Sequence, residues 1–439
     1  MLKRILSLAL AFTFSSMAFA QTIHQSRLDS LFTLLAKHNK FTGSIAVSQN
    51  GHLLYTKAIG WADIATAKKA TTNTRYRIGS ISKMFTAALI FKAVEEKRLS
   101  LQQTLDKYFP QIENSNKITI AHLLNHSSGI HNFTNDKTYL TYFTTPKSAK
   151  EMVDIIAKGK SDFEPGTKGA YSNSNYVILS YILEQLYGQP YAKILQTKIT
   201  QPLGLKNTYF GGRVKLQNNE CYSYLFTDKW VKQSETDPSI PMGAGAVVST
   251  PADLTLFIEQ LFAGKIISDS SFARMKTIQN GYGMGIFEYP YLDKKCYGHT
   301  GGIDGFRSVL NYFPEEKLSI AITANGDGYP LNNILLCALS GYFNQPYHLP
   351  SFTAITLSAA ALDSFPGNYS SAQVPLKLAI TKKDNKLFAQ ATGQSAFPLE
   401  ATSTDSFQFE PAGVVIVFSK DRKQLTLTQG GKDYQFNRE

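Results

Sequence analysis

The chain has 439 residues, 43% of them hydrophobic and 18% charged, with 45 Lys+Arg against 33 Asp+Glu for a formal charge of +12. That balance is too apolar for a disordered chain and too broken by polar residues for a multi-span membrane protein. The basic excess suits anionic polymers or lipid headgroups, but no Lys/Arg-rich run concentrates it, which argues against nucleic acid as the partner.

Lys3 and Arg4 precede an apolar stretch from Ile5 to Phe14, and Ala18-Phe19-Ala20 forms a small-x-small pattern before a cut. The stretch is too short to span a bilayer, and Gln rather than Cys at position 21 leaves no lipoprotein signal. The pattern predicts a signal peptide over 1–20, a secreted, periplasmic product and no transmembrane anchor in the mature chain. With Lys3 and Arg4 removed, 419 residues remain at +10. Nothing in the sequence sets the oligomeric state.

A helix is expected over 23–38, then a hairpin from Gly43–Val47 and His52–Ala58 around Gln49-Asn50-Gly51. A helix from Ser80 to about Glu96 carries Ile81, Met84, Phe85, Ala88, Leu89, Phe91 and Ala93 around most of its circumference, so it must be buried. Further helices are expected near 119–125, 148–158, 174–187, 190–197, 251–263 and 332–344, and strands over 282–325. The intervening stretches 126–147, 159–173 and 205–248 lack regular pattern, and long irregular segments in a compact domain commonly carry function. Strands at both ends and helices between them point to an α+β architecture, an antiparallel sheet closed by both termini with an inserted helical subdomain. Residues 346–364 read as a linker, and 365–439 as a small antiparallel β-domain resembling a barrel. Cys221, Cys296 and Cys337 allow at most one bridge and form no metal cluster, and Cys337 lies in an apolar run.

Three groups of residues carry candidate chemistry. Ser80-Ile81-Ser82-Lys83 opens the buried helix, so hydroxyl and amine three residues apart share one face of its first turn. Burial disfavours the charged lysine, and a neutral amine can serve as base toward the serine. Alternatively, Ser80 caps the helix and Lys83 snorkels. Tyr171-Ser172-Asn173 lies in a loop before a helix; beside an ammonium, the Tyr171 phenol is expected to be more acidic than usual and able to relay protons. His299-Thr300-Gly301-Gly302 enters a strand, where the glycines permit close approach of a ligand to the strand edge. His122 and His126 share helical spacing, but the sequence His122-Leu123-Leu124-Asn125-His126 lacks the glutamate of a zincin, so they read as structural, and neither a metal nor another cofactor is expected.

Together and in this order, the three groups resemble the serine β-lactamase and penicillin-binding superfamily, in its class C β-lactamase and DD-carboxypeptidase branch. Tyr-x-Asn marks that branch, and His-Thr-Gly in place of Lys-Thr-Gly is similar to certain secreted DD-peptidases. Leu123–Gly129, Gly243-Ala244-Gly245 and Ser249–Leu254 match the branch as well, and the resemblance spans about 25–345. It implies a β-lactamase/DD-peptidase fold over 21–345, with Ser80 as the acylated nucleophile and Lys83 and Tyr171 sharing acid–base work. The backbone N–H groups of Ser80 and Gly302 would form the oxyanion hole. Asn173 would bind the acyl-side amide, with His299, Thr300 and Gly301 on the leaving-group side. The implied substrate is a small peptide, β-lactam or ester, peptidoglycan-derived peptides included. The expected activity is that of a D-alanyl-D-alanine carboxypeptidase or related D-peptidase; a class C-like β-lactamase or carboxylesterase is the alternative. A wall-binding or penicillin-sensing protein that never resolves its acyl-enzyme is a rival of another class. A histidine at position 299 holds a substrate carboxylate only while protonated, which a lysine would not require.

Overall fold

The computed structural model describes residues 23–227, 229–430 and 432–439, and the expected signal peptide lies outside them. Helix α1 (Gln25–Lys37) buries one stripe, Leu28, Leu31, Phe32 and Leu35, at helical spacing. It leads into strands β1 (Phe41–Gln49) and β2 (His52–Ile59). Asn50 and Gly51 both have positive φ, 52° and 83°, as a tight two-residue hairpin turn requires. Strands β3 (Phe287–Tyr291), β4 (Lys294–Ile303), β5 (Phe306–Phe313) and β6 (Leu318–Asp327) complete a six-stranded sheet in the order β3-β4-β5-β6-β1-β2. Every pairing in it is antiparallel, and β6 on β1 joins the two ends of this part of the chain.

One face of the sheet packs Ile320 and Ile322 against α1 and helix α5 (Leu331–Tyr342). The other packs Leu310 and Ala321 against the helical region inserted between β2 and β3. At the centre of that region lies α2 (Ser82–Glu95), where every residue from Ser82 to Phe91 is buried. Helices α3 (Asn173–Tyr187) and α4 (Pro251–Phe262) belong to the same core, Phe85 stacking on Phe257 at 3.8 Å. The helix expected from Ser80 begins instead as a 3₁₀ turn, Gly79–Ile81. The one expected over 190–197 is an α-helix, Tyr191–Leu195, continued by a wider π turn.

Beyond α5, eight strands from β7 (Gly367–Ser370) to β14 (Lys432–Arg438) form a closed barrel, sealed where Tyr369 pairs with Arg438. Alternating residues such as Ile380, Ala389, Ile416 and Phe436 fill its interior. All three cysteines are free and buried. Among the described residues, no helix is long and apolar enough to cross a membrane.

Candidate active site

Gly79 has φ +51°, a left-handed conformation open to glycine, and a Cβ there would stand 2.7 Å from the Gly302 nitrogen. The turn that presents Ser80 is therefore seated directly on the end of β4. Two contacts hold it there. Ser308 Oγ donates to the Ile78 carbonyl at 2.8 Å, and Arg77 pairs at 3.2 Å with Asp304 in the β4–β5 turn. Lys83 follows three residues on, in the first turn of α2, so its side chain shares a face with Ser80 and brings the amine to the hydroxyl.

Lys83 is completely buried, with its Nζ 2.9 Å from Ser80 Oγ, 2.8 Å from Asn173 Oδ1 and 2.8 Å from the Ala244 carbonyl. It forms no ion pair among the described residues, and burial pushes its pKa well below the usual lysine value. A neutral amine has two N–H donors and one lone pair. The donors match Asn173 and Ala244, leaving the lone pair for the Ser80 hydroxyl proton. Tyr171 Oη donates to Ser80 Oγ from the other side at 2.7 Å.

The expected acidic Tyr171 is not found. Burial pushes its phenol above the ordinary tyrosine value, and the hydrogen bond with Ser80 opposes that only in part. Tyr171 rests on the His126 ring at 4.5 Å, and His126 Nδ1 accepts the Ser172 N–H at 3.2 Å. His122 Nδ1 faces the Thr119 N–H within a capping box. The two histidines thus serve separate backbone contacts, and no group of three or more metal-ligating side chains occurs among the described residues.

Asn173 begins α3, its backbone N–H bonded to Asn132 Oδ1 at 3.0 Å and its Nδ2 to Thr134 Oγ1 at 3.1 Å. Asn132, Thr134 and the Ala244 carbonyl escaped the sequence reading. Only Ala244 left a trace, in the Gly-Ala-Gly segment, whereas Asn132 and Thr134 lie in an irregular loop where nothing singles them out.

Strand β3 pairs with β4 only as far as Gly298, leaving residues 299–303 open on that edge. The two-residue turn makes Ile303 and Phe306 a hydrogen-bonded pair, so alternation aims the N–H and C=O of Thr300 and Gly302 at the open edge. Gly301 packs against the Ile78 carbonyl, which a Cβ would approach to 2.0 Å. Thr300 and Gly302 are exposed. His299 is fully buried against Phe287, its Nδ1 on the Thr300 carbonyl at 2.5 Å and its Nε2 without a partner. Burial, the largest cause, brings its pKa down to about 3. A charged His299 attracting a substrate carboxylate is therefore excluded at neutral pH. The ring is a neutral wall of the site.

The beta-lactamase family model matches residues 28–334. The chain belongs to that family. Penicillin-binding protein 4* of Bacillus subtilis is 25% identical over 427 residues, which cover 90% of this chain and 94% of that protein. The teichoic acid D-alanine hydrolase of Staphylococcus aureus is 27% identical over 297 residues, 66% of this chain and 71% of the other. Among solved structures, a D-stereospecific amidohydrolase from Streptomyces sp. superposes with a TM-score of 0.63 at 27% identity, covering 72% of this chain and 99% of its own. The octameric penicillin-binding protein homologue from Pyrococcus abyssi covers 94% of this chain and 100% of its own at a TM-score of 0.67 and 24% identity, a likeness of fold. These relatives place this beta-lactamase-family chain in the serine hydrolase superfamily.

Proposed function

We propose that the protein is an exported serine hydrolase that cleaves D-aminoacyl bonds through an acyl-enzyme on Ser80, with D-alanyl peptides as the favoured substrates. The observation that carries this reading is the position of Ser80 Oγ between the buried Lys83 Nζ at 2.9 Å and the Tyr171 hydroxyl at 2.7 Å. Lys83 takes the hydroxyl proton as Oγ bonds to the carbonyl carbon. The oxyanion is received by the backbone N–H groups of Ser80 and Gly302, donors of a kind typically worth roughly 3–4 kcal/mol each. As the C–N bond breaks, Tyr171 gives its proton to the departing nitrogen, leaving a phenolate beside the new ammonium. Water then attacks the ester carbonyl and yields its proton to Tyr171, while Lys83 returns the other proton to Ser80. Asn173 fixes the amine and faces the acyl-side amide. Thr300 and Gly301 line the leaving-group side, with His299 as the neutral wall behind them. The family relationship supports hydrolysis, and relatives named for D-alanine or D-stereospecific amides support the D-configuration. Export rests on the pattern of residues 1–20.

Intact-mass detection of a covalent adduct, followed by turnover of a D-alanyl-D-alanine peptide, a D-alanine amide, a cephalosporin and a short ester, tests the reading. Ser80→Ala is expected to abolish adduct and turnover together. An adduct that persists in that variant places the nucleophile elsewhere, fastest turnover of the cephalosporin selects a β-lactamase, and an adduct without turnover selects a sensor.

A further inference from the structure

A cleft of about 740 Å³ opens off the catalytic edge, its rim formed by Thr300, Gly301 and Gly302. It runs over the face of the sheet opposite α2, beneath α5, towards Lys432 of the barrel, and its walls are largely apolar: Tyr289, Tyr291, Leu335 and Leu339 among them. Two polar groups in it are unused by the chemistry described so far. Asn311 is 6% exposed, and its Oδ1 is buried with no hydrogen-bond partner. Arg307 faces Gly302 across the strand pair, and its Nη1 would lie 3.6 Å from a Cβ at Gly302. The missing side chain of Gly302 thus lets the guanidinium lie over the catalytic strand. Nη1 donates to the carbonyls of Asp304 and Phe306 at 3.2 and 2.8 Å. Its remaining donors have no partner among the described residues.

The charged groups facing Arg307 are few. The Asp304 carboxylate is taken by Arg77 and Thr236. Asp327 lines the cleft without a salt bridge to Arg307; burial shifts its carboxyl above the ordinary value, and the charge of Arg307 opposes that shift from a distance. Lys432 adds a second cation from the barrel side. An unpaired guanidinium with free donors beside an open strand edge is a receptor for a carboxylate. It supplies the cation that His299, on the other face of β4, does not.

We propose that this cleft receives the substrate's leaving group, Arg307 binding its carboxylate and the apolar walls its side chain. The preferred scissile bond then precedes a C-terminal residue that is aromatic or branched rather than alanine. The inference rests on the acyl-enzyme reading of Ser80, and its test separates the two.

The full-length enzyme is assayed on acetyl-D-alanyl-D-phenylalanine, on its C-terminal amide and on acetyl-D-alanyl-D-alanine. The parent is expected to favour the phenylalanine acid over its amide about tenfold or more in kcat/KM, as charge-assisted bonds are stronger than neutral ones. Arg307→Gln should collapse that ratio to about threefold or less, and Leu335→Trp, which fills the cleft, should slow the phenylalanine peptide relative to the alanine peptide. An acid-to-amide ratio unchanged by Arg307→Gln, or a parent that prefers alanine, overturns the proposal. Binding of 3-phenylpropionate and its amide to Ser80→Ala by calorimetry gives a readout that needs no turnover. A preference for the acid that Arg307→Gln removes supports the cleft even if no peptide is hydrolysed, and absence of binding refutes it. Failure of a fluorophosphonate to label Ser80, with that binding intact, would instead strike the acyl-enzyme reading.

Discussion

Gly79→Ala tests whether the seat of Ser80 on β4 builds the oxyanion hole. The new methyl would stand 2.7 Å from the Gly302 nitrogen and 2.9 Å from both its carbonyl carbon and oxygen, so turn and strand must part by about 0.7 Å to restore a 3.4 Å contact. These neighbours are backbone atoms, which cannot swing aside like the end of a side chain. A left-handed φ of +51° adds roughly 1–2 kcal/mol of strain for a residue with a Cβ. Thermal stability should therefore drop only modestly, by a few degrees. The rate should suffer far more, because a donor displaced from its oxyanion typically costs about 10²–10³ in kcat. Gly51→Ala isolates the strain: its φ is +83°, yet nothing lies within 4 Å of the added methyl. That control should lower the melting temperature to a similar degree and leave kcat intact. Steady-state kinetics and thermal melts on the two variants decide. If Gly79→Ala keeps kcat within about threefold of the parent while both variants melt alike, the clash does not matter and the oxyanion assignment of Gly302 falls.

Three further outcomes are expected. Tyr171→Phe retains the ring stacked on His126 but loses the proton carrier, so kcat should fall by about 10²–10⁴ with the melting temperature nearly unchanged, and a loss under tenfold would reduce Tyr171 to an anchor. Lys83→Met removes a desolvated amine from an apolar core: the protein should melt at a higher temperature while acylation is lost, and a less stable variant would contradict the neutral-lysine argument. His299, at about 3 when folded against 6.5 unfolded, favours the folded state above pH 6.5, and that contribution is lost as pH falls from 6.5 towards 3. The slope for one such group approaches ~1.4 kcal/mol per pH unit. His299→Gln should flatten it in denaturant titrations. The same value predicts matching pH–rate profiles above pH 5 for acid and amide substrates as far as His299 is concerned.

What could be read from the sequence tracks how local the determining physics is. The β1–β2 turn follows from Asn50-Gly51, and the burial of α2 from apolar residues on every face, because both signals lie within one element. The barrel's alternating strands were legible for the same reason. The order of the three motifs exposed the family, but not the ionisation of the site. Tyr171 and His299 take their protonation from burial among Phe287, His126 and Tyr282, residues far apart in sequence. The 3₁₀ start at Gly79 is equally nonlocal, since β4 presses on it from more than two hundred residues away. Arg307 had no motif to announce it; its position opposite a glycine emerges only from the strand register.

The same burial that makes α2 the centre of the core is what makes Lys83 reactive. An ammonium in that helix would require an anion beside it, and the atoms within reach are an amide oxygen, a backbone carbonyl and a hydroxyl. Each satisfies a hydrogen bond without supplying a full charge, so burial favours the neutral, basic amine. A carboxylate in place of Asn173 would stabilise the ammonium and so remove the base. The asparagine at the start of α3 thus sets the charge of the site as well as its geometry, and Asn132 and Thr134 act on the chemistry by holding that amide with its oxygen towards Lys83. Recognition of anionic substrate groups must then come from outside this neutral centre, where a cation cannot pair with the developing phenolate or hold Lys83 in its basic form. Arg307, on the opposite face of the sheet from α2, meets that requirement.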